Sequence, residues 1–396
     1  MRPTHGKMHR RDFLLGTAAL SLSIDVGGAD VKTNSGSANK NAAAATQAIV
    51  NLNDVLEPLR AAAKVPALSA AVAVDGKIRG VGAVGIRKGG SPTAVKGTDL
   101  WHIGSCTKPM TATLIAMNVE KRKLEWRTTI ADALADLRDS MHASFRDVTV
   151  EQLLTHRGGL AEQAEAKAWA DAWANRGAPM DQRMDFVKAI LAKEPASQPG
   201  SKYEYSNQGY AVAAVMLEKI LGQPWEALMR EHLFKPLMMN SSGFGVPGTI
   251  GQIDQPWGHK WKDGKLEPQQ TDNPAAIHPA GGVHCTIWDF VRFAMFHMHG
   301  ARGEGRLLKP ETFLRLHTPP AGQDYAMGWV RLERSWADGY VLNHNGSNTL
   351  NFATMWIAPK IKFAAVSATN IGGDSGQKAC DDAIQAVIKK FALGSS

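Results

Sequence analysis

Apolar positions recur along this chain with two different periods, and the two are segregated. From 46 to 63, TQAIVNLNDVLEPLRAAA puts Ile49, Leu52, Val55, Leu56 and Leu59 on one face of a helix. Next, ALSAAVAVDGKIRGVGAVGIRK holds two apolar runs around Asp75-Gly76, a pair that predicts a hairpin. Near the other end, YAMGWVRL, GYVLNHNG, LNFATMWIA and KFAAVSATN read as short strands separated by turns. A last amphipathic helix is expected over about 376–391. Between these ends the spacing is helical, as in PMTATLIAMNVEKRK, QGYAVAAVMLEKILG and TIWDFVRFAMFHMHG. Thr149 with Gln152 and Thr286 with Asp289 have the spacing of helix N-caps.

Strands at both ends and helices between them predict an α+β fold. One antiparallel sheet is built from both chain ends and flanked by helices, with a large, mostly helical insertion. The expected domain spans 46–392: a sheet part over about 46–108 and 300–392, and a helical part over about 109–299. A site belongs at the junction of the two parts. The chain has no internal repeats.

Composition narrows the function classes. With 44% hydrophobic and 21% charged residues over 396 positions, the chain is ordinary globular protein. Its net charge of +8 comes from scattered basic residues, without the patch that nucleic-acid binding requires. Part of the charge sits in MHRRDFLLGTAALSLSI, where Arg10-Arg11 before a short apolar run resembles a twin-arginine export signal over 1–29. That run is too short to span a bilayer, which takes about 20 apolar residues. A periplasmic or secreted protein with no integral membrane span after cleavage is expected, with a small, polar linker over 30–45.

Several strings look like sites and lack the context that would make them so. Cys106, Cys285 and Cys380 are far apart and without CxxC spacing, which argues against a zinc site or a disulfide framework. Gly80-x-Gly82-x-x-Gly85 is followed by IRKGGSP rather than by a helix that could meet a pyrophosphate, so it reads as glycines in a hairpin. His297 and His299, two apart on a helix, point to different faces. No metal or organic cofactor is implied.

The stretch WHIGSCTKPM carries the chemistry. Ser105 lies at the start of a long apolar-periodic helix, and Lys108, three residues on, shares its face. Cys106 is rotated away and reads as a small buried residue. A serine hydroxyl attacks once a neighbouring base takes its proton, and a lysine amine does this when burial lowers its pKa. Ser37-x-x-Lys40 has the same spacing inside the linker and no role. What distinguishes the Ser105 copy is its company: Tyr205 and Asn207 in YEYSN, and His344, Gly346 and Ser347 in LNHNGSN. Together these resemble the S-x-x-K, Y-x-N and K/H-x-G elements of the penicillin-recognising serine hydrolases, the superfamily of class C β-lactamases, D-alanyl carboxypeptidases and esterases. VTVEQLLTHRGGL, PGSKYEYSNQGYAVAAVMLEKILGQP and HPAGGVHCTIWDFVRFAMFHMHG resemble further segments of that family, so the likeness covers about 46–392 in order.

The resemblance implies a serine hydrolase working through an acyl-enzyme at Ser105 on a small-molecule or peptide substrate. Lys108 and Tyr205 share proton transfer, the choice of base between them being open, with a Tyr205 phenolate favoured by Lys108. Asn207 orients substrate or Lys108; the backbone N–H groups of Ser105 and Ser347 form the oxyanion hole; Gly346 lets substrate approach the strand. The third element departs from the family's lysine form. His344 is only partly cationic near neutral pH, Asn345 replaces a hydroxyl, and Arg157 in HRGG offers an alternative cation. The expected substrate is therefore an ester or amide more than a β-lactam. Trp169, Trp173, Trp257 and Trp261 are candidates either for an acyl pocket or for packing. A slow penicillin-binding or cell-wall-fragment sensor on the same fold, and a cysteine hydrolase through Cys106, are the competing classes.

Overall fold

The structure, a computed structural model, describes residues 48–174 and 176–394; the expected export signal at 1–29 and linker at 30–45 lie outside the described residues. In chain order the strands are β1 (Val50–Asn51), β2 (Ala67–Val74), β3 (Lys77–Gly85), β4 (Leu100–His102), β5 (Gly243–Phe244), β6 (Gly258–Lys262), β7 (Lys265–Gln269), β8 (Val283–Thr286), β9 (Val330–Arg334), β10 (Gly339–Ser347), β11 (Phe352–Ala358) and β12 (Phe363–Thr369). Seven of them form the main sheet, in the order β1-β3-β2-β12-β11-β10-β9. The chain ends meet where β2 pairs with β12, Ala71 opposite Val366. The pairings are antiparallel, apart from β1 beside β3.

That parallel strand corrects the expectation of a helix over 46–63. Leu52 N–H bonds the Val81 carbonyl at 3.0 Å, which commits the preceding backbone to the sheet. The helix therefore begins only at Asn53 (Asn53–Ala62). Leu52 and Leu56 are fully buried, whereas Ile49 is 50% exposed.

Side-chain alternation sets the layers. Leu68, Ala70 and Val72 of β2, with Phe363 and Ala365 of β12, meet Leu52, Leu56, Ile384 and Val387 of the Asn53–Ala62 and Gly373–Phe391 helices. Ala71, Ala73, Ala364 and Val366 face the other way, onto the helix Ile287–Ala301 that carries Phe290, Val291 and Phe293. That helix thus covers the sheet, although the sequence pattern groups it with the helical part. The helical part also holds strands: β4, β8 and β5 form a small sheet, and β6 and β7 a hairpin. Both hairpins turn on Asp-Gly pairs with left-handed backbone, Asp75-Gly76 at φ 51° and 72° and Asp263-Gly264 at 50° and 72°.

At the seam runs the helix Thr107–Glu120, buried on all sides from Thr107 to Asn118. A short turn, Gly104–Cys106, precedes it and abuts β10 and β11. Gly80 and Gly82 sit in β3, where a Cβ would come within 3.0 and 2.9 Å of Leu52, so they serve strand–helix packing. Among the described residues no helix is long and apolar enough to cross a membrane.

Candidate active site

Ser105 lies in the Gly104–Cys106 turn, at the buried helix's N-terminal end. Gly104 adopts φ 49°, and its α-carbon packs directly on the Gly346–Ser347 backbone, leaving no room for a side chain. Gly346 is equally constrained: a Cβ there would lie 2.6 Å from Ser105 N. The two glycines thus bring the nucleophile turn and the end of β10 into backbone contact.

Around Ser105 Oγ the first two sequence elements converge. Tyr205 donates its O–H to Ser105 Oγ at 2.8 Å, and Lys108 Nζ lies 3.0 Å from the same oxygen. Lys108 Nζ also reaches Asn207 Oδ1 at 2.7 Å and the Ala280 carbonyl at 2.8 Å. Asn207 is placed by the first turn of the helix Asn207–Leu221. Ala280 belongs to the HPAGG segment, stitched to the central helix by Thr111 Oγ1 donating to Pro279 O at 2.7 Å.

Electrostatics reverses one expectation. Burial pushes the Lys108 ammonium well below its ordinary value, and burial likewise raises the Tyr205 phenol. Removing water penalises both the cation and the phenolate, so burial disfavours the ammonium–phenolate pair that was expected. In its amine form Lys108 keeps two N–H groups for Asn207 and Ala280 and can turn its lone pair to the Ser105 hydroxyl.

The third element behaves differently. His344 is buried, its Nε2 3.0 Å from Tyr325 Oη, and its pKa is pushed down to about 3 by burial and by Lys108. It is neutral and packed against aromatic rings, which corrects the expectation of a partial cation. Asn345 Oδ1 accepts from Thr354 Oγ1 at 2.6 Å, and the Arg157 guanidinium donates to the Gly200 carbonyl. Burial thus leaves His344 without the charge that a lysine at this position would offer a substrate carboxylate. The Ser347 hydroxyl donates to Asn351 O at 2.8 Å, which leaves its backbone as the part turned to Gly104.

Cys106 is fully buried, donates to the His344 carbonyl at 3.2 Å, and has its thiol pKa raised by burial. A thiol held protonated in the core is no nucleophile. The tryptophans part ways: Trp169 packs on Phe186, Trp257 lies under Lys88 Nζ at 3.7 Å, and Trp173 and Trp261 are 49% and 46% exposed. His297 bonds Thr113 and His317 while His299 bonds Glu304, on different sides of their helix.

Sequence reasoning missed His156. Its carbonyl accepts Glu204 N–H at 2.8 Å and its Nδ1 accepts Ser206 N–H at 3.1 Å, so it holds the chain on both sides of Tyr205. Its ring centroid lies 4.4 Å from that of Tyr205 and 4.7 Å from that of Tyr325. Burial above all pushes its pKa well below the ordinary histidine value. Its place in LLTHRGGL was the available signal, but a lone histidine in sequence carries no partner.

Ser105, Lys108 and Tyr205 thus meet between a helix N-terminus and the end of β10. The Beta-lactamase family model matches residues 52–388, and the chain belongs to this family. It is 27% identical over 330 residues to penicillin-binding protein 4 of Amycolatopsis lactamdurans, covering 80% of this chain and 84% of that one. Among solved structures it resembles a class C beta-lactamase, with TM-score 0.69 and 22% identity over 86% of this chain and 94% of that one. It also resembles a D-stereospecific amidohydrolase from Streptomyces sp., with TM-score 0.66 and 20% identity over 86% and 97%. These confirm the beta-lactamase-like α+β fold, a mostly antiparallel sheet with helices.

Proposed function

We propose that this protein is an exported serine hydrolase that forms an acyl-enzyme at Ser105 from an ester or an amide, of the esterase or D-amino-acid peptidase type. The observation that carries this is the buried Tyr205–Ser105–Lys108 hydrogen-bonded chain, with bonds of 2.8 and 3.0 Å. As Ser105 Oγ attacks the substrate carbonyl, its proton passes to the Lys108 lone pair. The tetrahedral oxyanion sits against the N–H groups of Ser105 and Ser347, in a site where such donors act without water's screening. Lys108 then returns the proton through the Tyr205 hydroxyl to the leaving oxygen or nitrogen, and the C–O or C–N bond breaks. Water, activated by the same pair, releases the acid and restores Ser105. Asn207 holds Lys108 in line throughout.

A neutral His344 in place of the family's lysine favours substrates without an obligatory carboxylate. The D-stereospecific amidohydrolase supports amide chemistry only through the shared fold. Export rests on the Arg10-Arg11 stretch.

The test is intact-mass and product analysis with p-nitrophenyl acetate, a D-amino-acid anilide and benzylpenicillin, with Ser105→Ala as control. Ester or anilide turnover that vanishes in the variant is expected. Efficient Ser105-dependent opening of benzylpenicillin would overturn the substrate preference. Equal activity of wild type and variant would overturn the nucleophile.

A further inference from the structure

We infer that Asp272 is a positioning residue that fixes the backbone donors on both sides of the reacting carbonyl; this rests on the Ser105 acyl-enzyme reading above. The two N–H groups assigned to the oxyanion, those of Ser105 and Ser347, come from segments more than two hundred residues apart in sequence. One buried carboxylate ties the residue before the first to the residue after the second.

On one side, Asp272 Oδ2 lies 2.8 Å from His102 Nε2, and His102 Nδ1 lies 3.2 Å from Gly104 N. The Gly104 N–H can only donate, so Nδ1 is the accepting nitrogen, and Nε2–H donates to Asp272. On the other side, Asn348 Nδ2 donates to Asp272 Oδ1 at 2.9 Å. Asn348 Oδ1 in turn accepts the N–H groups of Leu350 at 3.2 Å and Asn351 at 3.0 Å, closing the turn that follows Ser347. The His102 and Asp272 side chains are only 1% and 5% exposed, so water does not substitute for these bonds. His278 Nε2 is also near, 3.8 Å from Asp272 Oδ2, and bonds the Asn273 carbonyl at 3.3 Å. Gly104 and Ser347 touch through their backbones, yet contact alone does not set the direction in which either amide points. The Asp272 bridge sets it.

The same tautomer logic predicts what an isosteric change does. In Asp272→Asn, an amide that keeps its oxygen on Asn348 turns an NH2 toward His102 Nε2–H, and two donors face each other. The other His102 tautomer relieves that clash only by pointing Nδ1–H at Gly104 N–H. Either way the Gly104 side of the bridge is lost. His102→Asn breaks it elsewhere, because the shorter amide keeps an acceptor near Gly104 and no longer reaches Asp272.

The experiment compares wild type, Asp272→Asn and His102→Asn in the full chain. A fluorophosphonate probe labels Ser105 and gives both the labelling rate constant and the count of active sites. p-Nitrophenyl acetate gives kcat per labelled site and KM. We expect labelling and kcat per site to fall 10–100-fold in both variants, the size of effect seen when a supporting shell is removed, with KM within about threefold. A clamp that serves folding alone would lower the melting temperature and the count of active sites but leave the rate per site unchanged, and that result overturns the inference. If Asp272→Asn does not fold, His102→Asn decides by the same criterion. A wild type that the probe does not label would sink the nucleophile reading and this inference with it, whereas a reactive wild type with equally reactive variants sinks this inference alone.

Discussion

Replacing Tyr205 by Phe removes one oxygen and little else. The ring keeps its contact with His156, at 4.4 Å between centroids, and its place under Lys108 Nζ, at 4.7 Å. Losing the hydrogen bond to Ser105 Oγ costs about 1 kcal/mol of stability, a fall of about 2–4 °C at most in melting temperature. The chemical cost is far larger. A positioned acid–base group contributes about 10²–10⁴-fold, or about 3–5 kcal/mol of barrier, so kcat should fall by that factor with KM nearly unchanged.

The pH profile supplies the sharper test. Lys108 must be uncharged to take the serine proton, and burial has lowered its pKa. The rate should therefore rise with pH through that lowered value, below the ordinary lysine value of about 10.4, and then stay level. Tyr205 is pushed upward, so no alkaline limb should appear below about pH 10. Steady-state ester hydrolysis from pH 5 to 10, beside thermal unfolding, measures both quantities. Should Tyr205→Phe abolish the acid limb, the phenolate was the base; should it retain a third of kcat, Tyr205 carries no proton. Either result refutes the neutral-pair argument.

Other consequences can be measured independently. Gly346→Ala places a Cβ 2.6 Å from Ser105 N and 2.7 Å from Cys106 N; activity should fall at least about tenfold and stability by about 1–3 kcal/mol, read by ester assay and urea unfolding. Arg183 is fully buried and binds both Glu218 and Glu226, so Arg183→Met should cost about 3–5 kcal/mol by leaving Glu218 unpaired, and an unchanged urea midpoint would contradict that. His344 and His317 are held neutral with pKa about 3, and His284 with pKa about 4, all by burial. Above pH ~6.5 folded and unfolded chains are both neutral at these sites. Below it the unfolded chain alone takes up protons, at about 1.4 kcal/mol per histidine per pH unit until the folded pKa is reached. Stability should fall steeply between pH 6.5 and 4, and a urea midpoint that is flat over that window would disprove the burial argument.

Much of the architecture was legible because local periodicity reports burial. The Asp75-Gly76 turn, the four C-terminal strands and the Thr149–Gln152 capping box all appear where the pattern placed them. The Asp263-Gly264 hairpin carried the same turn pair and passed unread, because KWKDGKLEP offers too few apolar residues to look like strands. Helix Ile287–Ala301 was read correctly as a helix and wrongly as part of the helical insertion. Its apolar face fits a sheet as well as a helix bundle, and only the alanines of β2 and β12 opposite it decide which.

The site divides in the same way. Ser105 and Lys108 are brought to one side by their sequence spacing, and the Asn207 and Ala280 contacts aim Lys108 Nζ to 3.0 Å from Ser105 Oγ. Tyr205, Asn207, Gly346 and Ser347 entered through motif resemblance, and the fold then placed them. What no spacing contains is the state of the charges. The lowered pKa of Lys108 and His344 and the raised pKa of Tyr205 come from the water that surrounding elements exclude, and those elements arrive from distant parts of the chain. The same holds for the bond between Asp272 and His102, 170 residues apart, and for the bonds of His156 to Glu204 and Ser206, 48 and 50 residues on. Sequence by itself determined that Ser105 and Lys108 share one face, because that adjacency is a local property. Tertiary structure decided their protonation and their aim, because desolvation and hydrogen bonding across distant segments exist only once the chain has closed around them.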